Sequence, residues 1–60
     1  MTELEFREWL DEAIQFWFKE NGDIYSRTYS FRDRGVLTNN EGLIVKISEQ
    51  EYQVTIVKSR

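Results

Sequence analysis

The chain has no cysteine, no histidine and no proline, and only three glycines in 60 residues. Without cysteine there are no disulfides and no thiolate metal sites. Without histidine, the side chain best suited to proton transfer near neutral pH is missing. Carboxylates are then the only charged metal ligands, and they suit hard cations such as Ca²⁺ or Mg²⁺. No D-x-[DN]-x-[DN]-G loop is present to hold such an ion, so no metal and no cofactor is expected. No apolar run approaches the ~18 residues of a membrane span. The segment from Glu3 onward is acidic and lacks the apolar core of a secretory leader. Together these absences predict a cytoplasmic domain that does not enter a membrane.

Size sets the next constraint. Residues 1–60 make a single domain, and a chain this short buries only about 60% of its unfolded surface. The usual remedies are disulfides, a metal or a partner chain. The composition removes the first and gives no sign of the second, so a homo-oligomer is expected, most commonly a two-fold dimer. The competing outcome is a compact monomer held by its two Trp, three Tyr and four Phe residues.

The net charge of −3 is mild. Residues 1–21 carry six acids against Arg7 and Lys19, whereas residues 22–60 carry five acids against six bases. An acidic segment therefore precedes a faintly basic one.

What is present is, first, an amphipathic helix over residues 2–20. At about 100° per residue, Phe6, Trp9, Leu10, Ala13, Ile14, Phe16 and Trp17 fall in one arc roughly 160° wide. Glu5, Glu8, Asp11, Glu12, Gln15 and Lys19 fill the opposite arc, which predicts a helix laid on a core by its aromatic face. Thr2 and Glu5 stand in the [ST]-x-x-[DE] relation of a capping box. Asn21-Gly22 supplies the stop, with Gly22 free to take the left-handed conformation. Leu4 and Phe18 fall outside the apolar arc.

From Asp23 the period changes to two, and strands are expected at about residues 24–32, 43–48 and 51–58. In the first, Tyr25, Arg27, Tyr29 and Phe31 share one face, and Ile24, Ser26, Thr28, Ser30 and Arg32 the other. Residues 36–38 form either a short strand of their own or the arm of a longer hairpin. Asp33-Arg34-Gly35 and Asn39-Asn40-Glu41-Gly42 carry turn chemistry. Leu43, Val45 and Ile47 alternate with Ile44 and Lys46, while Tyr52, Val54 and Ile56 alternate with Gln53, Thr55 and Val57. This predicts a hairpin with one apolar face turned to the helix. The expected fold is α+β: one N-terminal amphipathic helix packed on a three- or four-stranded antiparallel meander.

The pattern offers little to catalysis. Glu8, Asp11 and Glu12 share a helix face. Paired carboxylates become acid–base catalysts only where a dry cleft raises one pKa, and these lie opposite the aromatics, toward water. The expectation is a non-enzymatic interaction or regulatory module that binds another protein, a second copy of itself foremost. Leu4, Phe18, Ile44 and Val57, the apolar groups left over after the core is assigned, are its candidate contacts. A second reading is a single-stranded nucleic-acid binder, because Tyr25, Arg27, Tyr29 and Phe31 would place rings and a guanidinium on one sheet face. Arg32 and Arg34 would then meet phosphates. The same rings serve better as the core beneath the helix, because a sheet needs its apolar face covered, and the net negative charge opposes phosphate binding.

Overall fold

The structure, a computed structural model, describes residues 1–22 and 25–59. Helix α1 spans Glu3–Glu20, followed by β1 (Arg27–Ser30), a single-turn helix α2 (Phe31–Arg34), β2 (Glu41–Ile47) and β3 (Gln50–Ile56). The strands form one antiparallel sheet in the order β1-β2-β3, with α1 packed over β1 and β2. This is the predicted α+β arrangement, with three strands.

The helix begins and ends as its residues dictate. The Thr2 hydroxyl accepts from the Glu5 amide at 3.1 Å, and the Glu5 carboxylate accepts from the Thr2 amide at 2.9 Å. Two otherwise orphaned donors are thereby satisfied. At the other end Gly22 has φ 68° and its amide donates to the Lys19 carbonyl.

The first strand is shorter than the alternation predicts. Its extended run stops at Ser30, whose hydroxyl accepts from the Asp33 amide and caps α2. Gly35, at φ 70°, ends that turn, and the Val36 amide donates to the Phe31 carbonyl at 2.9 Å. Residues 36–38 are therefore a connection and not a strand. The predicted start of the first strand at Ile24 lies outside the described residues.

Register assigns the two sheet faces. Thr28 pairs with Val45, which pairs with Tyr52; Ser30 pairs with Leu43, which pairs with Val54. Directly paired residues share a face, so the hydroxyls of β1 lie beside Leu43 and Val45. This is the face under α1, because Asp11 and Gln15 hydrogen-bond to Thr28. Tyr29, Ile44 and Gln53 share the opposite face, which α2 covers. There Phe31 is buried against Gly42 and Ile44 is buried too, while Leu43, Val45 and Ile56 form the core on the α1 side.

Two expectations are corrected. The Tyr29 and Phe31 side of β1 does not form the core beneath the helix; α1 sits on the Thr28 and Ser30 side. The aromatic arc of α1 does not face the sheet either. Its half-buried residues are Glu3, Arg7, Leu10, Asp11, Ile14 and Phe18, so the helix is turned about a quarter turn from the orientation its aromatics suggest. The cause is polar. Hydroxyls under a helix need partners, and Asp11 and Gln15 supply them to Thr28. Arg7 lies 3.5 Å from Glu41 at the start of β2. Bringing those three side chains onto the sheet swings Phe6, Trp9, Ala13, Phe16 and Trp17 outward.

Candidate functional site

The outward turn of α1 leaves a stripe of rings in water. Phe6 is 39% exposed, Trp9 55%, Phe16 64% and Trp17 65%. At roughly 200 Å² per ring this amounts to about 450 Å² of aromatic surface, the size at which a patch on a single chain is commonly functional. Phe6 and Trp9 lie one against the other, ring centroids 5.6 Å apart and planes 33° apart.

The four sides of the helix have different surroundings. Leu10, Ile14 and Phe18 look down on the sheet. Asp11 and Gln15 look toward β1, Glu8 and Lys19 continue that side into solvent, and Glu5 and Glu12 lie where it meets the top. Phe6, Ala13 and Trp17 lie on the opposite side, toward β3. There Phe6 lines a shallow hollow with Met1, Ile56 and Val57. Trp9 and Phe16 point up, away from the sheet. The floor of the sheet is also incomplete on that side, because Tyr52 and Ile47, on the helix-bearing face, remain about half exposed.

The residues singled out as apolar contacts are not brought together. Ile44 is buried at 7% exposure beside Tyr29, so its expected place on an open face is corrected: α2 covers that face. Phe18 is half-buried near Ser26 and Thr28 at the C-terminal end of α1. Leu4 and Val57 are exposed and line one hollow at the other end. The surface that does assemble is the aromatic stripe, whose residues the hydropathy pattern assigned to the core. One signal for it was available. The apolar residues of α1 include both the Leu10–Ile14–Phe18 row and the ring stripe, more than one sheet contact requires.

The proposed stacking face is divided. Phe31 is in the core. The Arg34 guanidinium lies 4.8 Å from the Tyr29 ring centroid and donates to Glu51 at 2.7 Å. Tyr25, Arg27 and Arg32 are exposed, but the central ring of the platform is occupied.

Chemically the surface is suited to contact. Glu8 and Glu12 are exposed on the wet side of α1. Glu5 is held below the ordinary glutamate pKa by the Thr2 amide and then by its hydroxyl, which stabilises a charged cap and not a proton donor. Among the described residues no cluster of acids is placed to hold a metal ion, and no helix is long and apolar enough to cross a membrane. No family model, no curated protein and no solved structure matches the chain.

Proposed function

We propose that this chain is a small non-enzymatic interaction module that works by surface contact and associates with a second copy of itself. One observation carries the reading: the ring stripe of α1, with Trp9, Phe16 and Trp17 more than half exposed. Removing such rings from water is strongly favourable, at roughly 25 cal/mol per Å² before association entropy is counted. Aromatic residues are also the side chains that most often dominate interface energetics. The short chain supplies a reason for self-association, since it has few other means of enlarging its core. Its cysteine-free composition is compatible with work in the cytoplasm, which forms part of the proposal.

Sedimentation equilibrium of the full chain across micromolar concentrations tests the reading. A reversible dimer is expected; a folded monomer throughout that range would sink it. Single-stranded nucleic-acid binding has less support, because Phe31 is buried and the Tyr29 ring lies beside Arg34. Adding oligonucleotide at low salt is expected to leave tryptophan and tyrosine emission unchanged.

A further inference from the structure

We propose that two copies join face to face, their α1 helices side by side in one layer between two sheets. This rests on the self-association reading and specifies its geometry.

The helix itself points to this arrangement. Three of its four sides carry large apolar residues and one is wet. Below, Leu10, Ile14 and Phe18 meet the chain's own sheet. On the β3 side lie Phe6, Ala13 and Trp17, and on top lie Trp9 and Phe16. The β1 side, with Glu8, Gln15 and Lys19, is polar throughout, and Glu5 and Glu12 stand where that side meets the top. A helix in the middle layer of a sheet–helix pair–sheet sandwich has those surroundings: its own sheet beneath, a neighbouring helix beside it, a second sheet above and water on the last side. A helix on the outside of a sheet needs only one apolar face.

A second copy is the occupant that fits both surfaces at once. The partner must place an apolar sheet face over Trp9 and Phe16, and an apolar helix flank against Phe6 and Trp17. This chain has both to offer. The half-exposed floor of Tyr52 and Ile47 would receive the partner's α1, whose rings point away from its own sheet. A two-fold axis makes each gift reciprocal, as in an isologous interface. The area is of the right order. The four rings with Tyr52 and Ile47 expose about 600 Å² per copy, close to the ~800 Å² each partner contributes to a standard interface. Charge permits it as well. Apart from Glu20 at the helix end, the β3 flank of α1 and this floor carry no charged side chain; Glu5 and Glu12 border Trp9 and Phe16 at the rim of the top, and Glu8 projects to the wet side.

The rival two-fold is edge pairing of β3, an exposed seven-residue strand. Antiparallel pairing by a two-fold keeps both helices on the same sheet face, so nothing lies above Trp9 and Phe16. Edge pairing therefore leaves the upper half of the stripe wet.

Two measurements on the full chain decide the matter. The first is sedimentation equilibrium of the wild type, of Trp9→Glu/Phe16→Glu and of the wet-side control Glu8→Lys, with circular dichroism reporting the fold. The double variant is expected to remain helical and to dissociate at least ~30-fold more readily, as loss of an interface hot spot implies; Glu8→Lys should dimerise like wild type. The second does not depend on the double variant folding. In Trp17→Phe, Trp9 is the sole indole, and its iodide quenching should fall as concentration drives dimer formation. A wild-type chain that stays monomeric overturns both the geometry and the self-association reading. A dimer in which Trp9 stays fully quenchable, or which survives the double substitution, overturns the geometry alone. In that event protection of β3 amides from hydrogen exchange would mark the edge-paired form.

Discussion

The ring of Phe31 occupies the space into which a side chain at Gly42 would project. A Cβ built at Gly42 collides with the Phe31 ring and with the Val54 carbonyl oxygen. The glycine is therefore required by close approach, since Gly42 sits in the interior of β2 and does not have a positive φ. Gly42→Ala should destabilise the domain by about 1–3 kcal/mol, the range for overpacking a filled core. Urea denaturation would read this as a lower midpoint at unchanged m-value. Phe31→Leu in the same background should recover part of the loss, because the smaller side chain leaves room for the methyl group.

On the same face Arg34 lies between two partners, the Tyr29 ring at 4.8 Å and the Glu51 carboxylate at 2.7 Å. Both side chains of the ion pair are about two-fifths exposed, so solvent screens the attraction. Arg34→Met, which retains an apolar stem, should destabilise by roughly 0.5–1 kcal/mol. The difference from wild type should shrink when the comparison is repeated at 1 M salt, where the screening length falls to about 3 Å.

Particular residues mark what the chain made legible and what it did not. The helix limits follow from Thr2, Glu5 and Gly22, because caps are local chemistry between near neighbours. The β2–β3 hairpin is equally plain in the alternation of Leu43, Val45, Tyr52 and Val54. The face that α1 presents is not plain. It is set by a contact between residues 17 positions apart, in which Asp11 meets the Thr28 hydroxyl, and hydropathy counts neither group as a core former. Reading the rings as core follows from a rule that is sound where hydropathy alone sets the face a helix buries. The early end of β1 was also hidden, since Ser30 fits a strand by alternation and a cap by its hydroxyl, and the α2 turn selects the second role. For the site, the residues that form the exposed stripe were recognisable as a group, whereas their exposure depended on that distant polar contact.

That contact makes a prediction of its own. Asp11 accepts from Gln15 at 2.7 Å and from the Thr28 hydroxyl, and Gln15 donates to Thr28 at 3.1 Å. Thr28→Val keeps the shape and removes the hydroxyl, leaving a partly buried carboxylate short of one donor. A loss of about 1–2 kcal/mol is expected. Combining Thr28→Val with Asp11→Ala should give less than the sum of the single losses, because both remove one interaction. Additive losses in that cycle would show that the hydroxyl does not orient the helix.

The helix start responds to pH in a direction fixed by its cap. Glu5 titrates below the ordinary glutamate range because the Thr2 amide, and then the Thr2 hydroxyl, bind its charged form. A carboxylate whose folded pKa is depressed contributes stability above its unfolded value and loses it as pH falls through the folded one. Stability should therefore decline below about pH 4, the ordinary glutamate range, and Glu5→Gln should flatten that part of the profile. Glu5 is exposed, so the effect is small and weakens with salt. Thr2→Ala removes the hydroxyl acceptor for the Glu5 amide and should destabilise by about 1 kcal/mol at neutral pH. Because the same substitution also takes away one of the two groups that lower the Glu5 pKa, it brings the folded and unfolded values closer together, so its acid decline should be shallower than in wild type. Thermal melts of the wild type and both variants between pH 3 and 7 would check this order, and identical acid profiles for wild type and Glu5→Gln would refute it.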